Sequence, residues 1–220
     1  MKREILITSD GSTTINLPEL NEQYHSKNGS IKESYHVFIE SGLRQIEADK
    51  VAVLEIGFGT GLNCFITYLE AKKEIDYFGV EAYPVTPEEV AKMNFIAVLQ
   101  ADDKQDVFNK MHTNSWEKKH QISETFSLTK RKQFIEDIKD KNTFDLIYFD
   151  AFGARVQPQL WTVEIFQKMF DSLKENGILV TYSAKGSVRR AMQEVGFTVE
   201  RLPGPPGKRE MLRARKISLQ

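Results

Sequence analysis

The sequence of 220 residues contains a single cysteine, Cys64. One thiol can build neither a disulfide framework nor a thiolate zinc site. The four histidines, His25, His36, His112 and His120, stand at no metal-ligand spacing, and no metal is expected. No apolar run approaches the length of a membrane span, and the opening MKREILITSD lacks the apolar stretch of a signal peptide, so no membrane segment and a cytoplasmic location are expected. With 40% apolar and 28% charged residues, the chain can fill one core and cover it, which excludes disorder as its main state. There is no internal repeat and no low-complexity tract.

Net charge is also nearly absent, at −1, but its distribution is uneven. From Ala184 to Lys216 nine basic residues face three acidic ones, a local charge of +6, and the remaining 187 residues sum to −7. A basic C-terminal face on an acidic body is the pattern of a surface that meets a polyanion.

The apolar pattern reads as follows. Residues 4–17, EILITSDGSTTINL, form two strand-like runs around Asp10-Gly11, a pair suited to a tight hairpin. Glu33 to Gln45 has helical spacing. VAVLEI, from Val51, is a continuous apolar run, as a strand covered on both faces requires, and a helix-like segment from Leu62 to Ala71 follows it. IDYFGVE ends a second strand at Glu81, and the middle from Glu88 to His120 reads as polar helix. Further strands are expected at Thr125–Thr129, Phe144–Phe149, Ile178–Tyr182, Thr198–Leu202 and Met211–Ala214, with helices at Thr162–Lys174 and Ser187–Val195. This alternation predicts an α/β fold with a mainly parallel sheet. Residues 1–46 are expected to be an N-terminal extension of hairpin and helix, packed on a catalytic domain of residues 47–220.

In such a sheet, ligands bind beyond the carboxyl ends of the strands. There the first strand delivers Glu55-Ile56-Gly57-Phe58-Gly59-Thr60-Gly61, a G-x-G-x-G spacing one residue shorter than the dinucleotide fingerprint. The carboxylate of Glu55 just before it would repel a pyrophosphate and attract a cationic ligand with an amino group, such as S-adenosylmethionine. Glu81, 20 residues after Gly61, is placed to accept ribose hydroxyls. Asp137 falls in the loop after the third strand, within reach of an adenine amino group. Asp150 closes FDLIYFD and brings a carboxylate to the ligand edge, or caps the next helix. Phe152 and Trp161 are candidates for stacking on a base or for the core.

Together these motifs resemble the class I S-adenosylmethionine-dependent methyltransferases. More narrowly, DGSTT, YHS, ESYHVFIE, EIGFGTGLN, FDAFGARVQPQLWT, SVRRAMQEVGF and GPPGKREML resemble the methyltransferase half of the bifunctional tRNA 5-methylaminomethyl-2-thiouridine biosynthesis family. The resemblance spans almost the whole chain. It implies a Rossmann-like, seven-stranded sheet whose last strand is antiparallel. It also implies methyl transfer from S-adenosyl-L-methionine to the primary amine of 5-aminomethyl-2-thiouridine at the wobble position, in the anticodon region of tRNA. By position it assigns Glu55, Gly57, Gly59, Asn63, Glu81 and Asp137 to the cofactor and Asp150 to catalysis; Gly61 and Tyr24 are grouped with the cofactor residues. Lys185, Arg189, Arg190, Lys208 and Arg209 are the candidate tRNA contacts. No second glycine fingerprint follows for a flavin-dependent oxidase, so no flavin is expected in this chain. Two other readings remain: a small-molecule amine transferase on the same fold, such as an aminopropyltransferase, and a non-catalytic cofactor- or RNA-binding module.

Overall fold

The computed structural model describes residues 2–217; the ends of the two expected segments, Met1 and residues 218–220, lie outside them. Its first residues form the expected hairpin, β1 (Glu4–Ile7) against β2 (Thr13–Leu17), with β3 (Glu22–Gln23) added to make a three-stranded antiparallel sheet. The Asp10 carboxylate at the hairpin turn accepts hydrogen bonds from the backbone N–H groups of Ile31 and Lys32, both at 3.1 Å. It thereby satisfies the first turn of α1 (Ser30–Ser34). The helix expected over 33–45 therefore begins earlier, continues as a π-helical turn over Tyr35–Glu40, and gives way at Gly42 to a 3-10 turn, Leu43–Gln45.

The remaining strands are β4 (Lys50–Ile56), β5 (Glu74–Val80), β6 (Lys119–Ser123), β7 (Phe126–Arg131), β8 (Phe144–Phe149), β9 (Leu173–Thr181), β10 (Thr198–Pro203) and β11 (Glu210–Arg215). They form one sheet in the order β10-β11-β9-β8-β4-β5-β7-β6. β4 pairs in parallel with both β5 and β8, so its run VAVLE is covered on both sides and both faces. β11 is antiparallel to both neighbours, as the resemblance implies. The sheet has eight strands rather than seven, because β6 adds an antiparallel edge to β7 from within the segment expected to be helical. The rest of that segment is three short helices, α3 (Pro87–Val90), α4 (Phe95–Val98) and α5 (Gln105–Thr113).

Alternation along the strands feeds two cores. Val53, Tyr77, Tyr148 and Val180 face a layer built from the Tyr35–Glu40 turn, α2 (Leu62–Glu70) and α5. Leu54, Val80, Ile147 and Leu179 face α6 (Val163–Ser172) and α7 (Gly186–Glu194). The chain reverses its winding direction at β4, between β5 and β8, and this opens a crevice at their C-terminal ends. Among the described residues no helix is long and apolar enough to cross a membrane.

Candidate active site

A cavity of about 810 Å³ fills that crevice. Its floor is the loop after β4 with Asp150 and Ala151 after β8, and one wall is Glu81 to Tyr83 after β5. Residues 133–136, after the neighbouring strand β7, also line it, and so do Tyr24 and His25 of the N-terminal segment. The loop is shaped by close approach. Gly57 has φ +87°, and a Cβ there would lie 2.8 Å from the Asp150 carbonyl oxygen, so any side chain would collide with the backbone of the neighbouring loop. Glu81 accepts hydrogen bonds from the Gly59 N–H at 3.0 Å and the Tyr83 N–H at 2.9 Å. Its carboxylate is thus fixed at the cavity wall by two backbone donors.

Gly61 does not line the cavity. It adopts φ +72° as the residue before α2, and a Cβ there would crowd the half-buried His112 ring at 3.0 Å, so its smallness serves packing. Glu55 and Asn63 also lie beneath the cavity rather than in it, at 0% and 2% exposure. The Asn63 amide donates to Glu55 at 2.9 Å and to Asp150 at 2.8 Å, while the Tyr77 hydroxyl donates to the other Glu55 oxygen at 2.8 Å. The Ser34 hydroxyl donates to the Asn63 carbonyl oxygen at 2.6 Å, which fixes the amide with both its N–H bonds aimed at carboxylates. Burial pushes the Glu55 carboxyl well up from its ordinary value, against the pull of Tyr77 and Asn63. A contact between Glu55 and a cofactor amino group, expected from its place before the glycines, has no direct route in this geometry.

Asp150, unlike Glu55, does line the cavity. Desolvation pushes its pKa well up, the nearby Glu33 adds to this, and Asn63 and Lys208 pull it down. Asp137 ends a 3-10 turn, Ile135–Asp137, and is exposed; its neighbours Ile135 and Glu136 line the cavity and Asp137 does not, because the turn rotates it outward. Tyr24 packs edge-on to Phe152, with ring centroids 5.2 Å apart, and burial pushes its hydroxyl up to about 12. Phe152 lines the cavity, whereas Trp161 is buried and donates its N–H to the Phe152 carbonyl at 2.8 Å, so Trp161 is core. Cys64 is fully buried in α2.

A family described as S-adenosyl-L-methionine-dependent methyltransferase matches residues 101–217, more than half of the chain. This chain belongs to that family. The methyltransferase is also 28% identical, over 96% of its length, to the tRNA 5-methylaminomethyl-2-thiouridine biosynthesis bifunctional protein MnmC of Cupriavidus metallidurans, and 27% identical over 87% to that of Aromatoleum aromaticum. It spans only about a third of those relatives, 34% and 32% of their lengths. In fold it is similar to MNMC2 from Aquifex aeolicus, with a TM-score of 0.74 at 23% identity over 100% of this chain and 73% of that one. It is also similar to spermidine synthase from Thermotoga maritima, with a TM-score of 0.59 at 14% identity over 97% and 68%.

The cavity of the methyltransferase fits S-adenosyl-L-methionine. Gly57 leaves the floor open to a ligand, the Glu81 carboxylate keeps lone pairs beyond its two backbone bonds for hydroxyl donors, and no basic side chain lies on the floor to oppose a sulfonium. The basic C-terminal segment is less uniform than its composition suggests. Arg213 pairs with Glu200 at 3.0 Å, Arg201 with Glu210 at 3.6 Å and Lys208 with Glu33 at 2.5 Å. Lys216 bonds to the carbonyls of Phe170 and Leu173, and Arg215 to that of Asn176. Among the described residues, Lys185, Arg189, Arg190 and Arg209 make no ion pair, and Lys185 and Arg209 line a second, open groove of about 440 Å³ beside Tyr182.

Three contacts around the cavity were not expected from the sequence, although His25 lies in the YHS motif and Lys208 was a candidate tRNA contact. Arg3 donates to Glu89 at 2.9 Å and to the Tyr83 carbonyl at 2.9 Å, closing the cavity rim. His25 contacts the Thr60 hydroxyl at 2.7 Å and is held by burial at about 4, hence neutral at pH 7. The Lys208 ammonium sits 3.8 Å from the centre of the Tyr182 ring, and the Tyr182 hydroxyl donates to the Ala151 carbonyl at 2.8 Å.

Proposed function

We propose that this methyltransferase acts on the primary amine of 5-aminomethyl-2-thiouridine at the tRNA wobble position, in the cytoplasm, and yields 5-methylaminomethyl-2-thiouridine. The observation that carries the reading is the Asp150 carboxylate, which lines the crevice that takes the cofactor and is desolvated and held by Asn63. The similarity to proteins named for 5-methylaminomethyl-2-thiouridine synthesis supplies the substrate class. In this reading residues 47–220 are the catalytic body and residues 1–46 an extension that covers it.

Bound S-adenosyl-L-methionine supplies an electrophilic methyl group, which the acceptor nitrogen takes in an in-line displacement. An alkyl amine has a pKa of roughly 10 and arrives as an ammonium without a lone pair. Asp150 first binds that cation and then takes one of its protons. Its raised pKa narrows the gap between carboxylate and ammonium and makes the transfer less uphill. Glu81 accepts from the ribose, Gly57 and Gly59 let the backbone approach, Tyr24 covers them, and residues 133–136 line the adenine end. Lys185, Arg189, Arg190 and Arg209, the cations of the C-terminal segment whose side chains among the described residues bond neither a carboxylate nor a carbonyl, meet tRNA phosphates near the anticodon.

The test is incubation of the protein with labelled S-adenosyl-L-methionine and tRNA from cells that lack it, followed by nucleoside analysis. Label in 5-methylaminomethyl-2-thiouridine is expected. Label in another nucleoside, or transfer to a free polyamine in place of tRNA, would overturn the assignment.

A further inference from the structure

We infer that Glu33 and Ser34, adjacent on α1, are positioning residues for Asp150, each acting through one intermediary side chain. Ser34 acts through Asn63. An amide can present either its oxygen or its N–H groups to a carboxylate, and only the second is attractive. The Ser34 hydroxyl, donating to the Asn63 oxygen at 2.6 Å, selects the orientation that sends one N–H to Asp150 at 2.8 Å and the other to Glu55 at 2.9 Å. Ser34 and Asn63 are both almost fully buried, so no solvent molecule replaces the lock.

Glu33 acts through Lys208. Its Oε1 accepts from the Lys208 ammonium at 2.5 Å and its Oε2 from the Ser26 N–H at 3.1 Å, and Lys208 is held on the face of Tyr182, whose hydroxyl is tied to Ala151 next to Asp150. The groups that face Asp150 are Asn63 from α2, Glu55 from β4, Glu33 from α1, Lys208 from the β10–β11 loop and the Tyr182 phenol after β9. With Glu33 ionised, Lys208 is neutralised in place, and the acceptor side keeps the single negative charge of Asp150 for one ammonium. Without Glu33, an uncompensated Lys208 would oppose the incoming amine.

The inference rests on the reading of Asp150 as the acceptor-side carboxylate, but its test does not require a substrate. In the ligand-free protein carrying aspartate labelled with carbon-13 at the side-chain carboxyl, the Asp150 resonance, assigned by its loss in Asp150→Asn, is titrated by NMR. Glu33→Gln removes a negative charge and leaves Lys208, so the Asp150 midpoint should fall by about one unit or more. Ser34→Ala frees the amide and removes a donor to the carboxylate, so the midpoint should rise by a similar amount. Ser34→Thr keeps the hydroxyl and should restore the wild-type midpoint. General damage to α1 would move the two adjacent variants the same way. Shifts of the same sign, or no shift in either folded variant, would refute the inference. Opposite shifts with no methyl transfer to tRNA would uphold it and refute the substrate instead. In the tRNA assay the acid limb of the rate against pH should follow the same two directions.

Discussion

Lys130, on β7, is an alkyl ammonium at 2% exposure with no carboxylate partner, and its cost can be worked out and measured. Its Nζ donates to the His112 carbonyl at 2.7 Å and lies 4.9 Å from the centre of the Trp116 ring. These contacts do not replace the lost water, and burial pushes its pKa down from 10.5 to about 8. Because the folded value lies below the unfolded one, the unfolded state binds the proton more tightly. The penalty is complete below about pH 8 and is relieved as the pH rises from there toward 10.5. At about 1.4 kcal/mol per unit the full penalty at pH 7 is roughly 3 kcal/mol, of which about 2 kcal/mol should be recovered by pH 9.5. Urea unfolding of the wild type and of Lys130→Met across this range isolates the term, since tyrosines and other lysines titrate alike in both. The wild type should gain about 2 kcal/mol relative to the variant between pH 7 and 9.5. Parallel stability curves would show that Lys130 is solvated or paired in solution and would refute the reasoning.

Glu81→Ala should raise the dissociation constant for S-adenosyl-L-methionine far more than it lowers turnover at saturation, because a ribose contact is alike in ground and transition states; calorimetry beside saturation kinetics checks this, and a pure turnover defect would contradict it. Asp150→Asn should preserve the fold and most cofactor affinity while lowering methyl transfer by at least about a hundredfold, measured by single-turnover label transfer. Near wild-type turnover would reduce Asp150 to a structural group. Neutralising Lys185, Arg189 and Arg190 together should weaken tRNA binding and flatten the slope of log affinity against log salt by about two units, with cofactor affinity unchanged in a filter-binding and calorimetry comparison. An unchanged slope would remove the basic face from the tRNA interface.

The parallel core was legible in the sequence because its signals are local. VAVLEI is apolar at both parities, G-x-G-x-G follows it directly, and Glu81 and Asp150 each follow an apolar run that cannot be solvent-exposed. β6 was not legible: KHQIS has one apolar residue, and its place at the sheet edge comes from the partner strand β7 rather than from its own pattern. The helix expected through 88–120 dissolved into short pieces for a related reason, since polar spacing alone does not set where a helix stops. At the site, position relative to the strands was readable and side-chain direction was not. Glu55 precedes the glycines yet turns into the core toward Tyr77, and Asp137 turns away from the wall that Glu136 lines. The ion pair of Lys208 with Glu33 joins residues 175 apart in the chain, a distance at which neither pattern nor spacing carries information.

The placement of β11 governs the order in which the molecule can be finished. It is inserted between β9 and β10, antiparallel to both, so β10 has no neighbour in the sheet until residues 210–215 have arrived. The hairpin turn ahead of it is also what seats Lys208 on Glu33 and the Pro203 carbonyl on His36. During synthesis, then, β4 and β5 with the glycine loop and Glu81 emerge long before β11, and the Lys208–Glu33 and His36–Pro203 contacts can form only once residues 203–215 have left the ribosome tunnel. The strand that completes the sheet is therefore among the last to be synthesised, and the Lys208–Glu33 pair can form only with it.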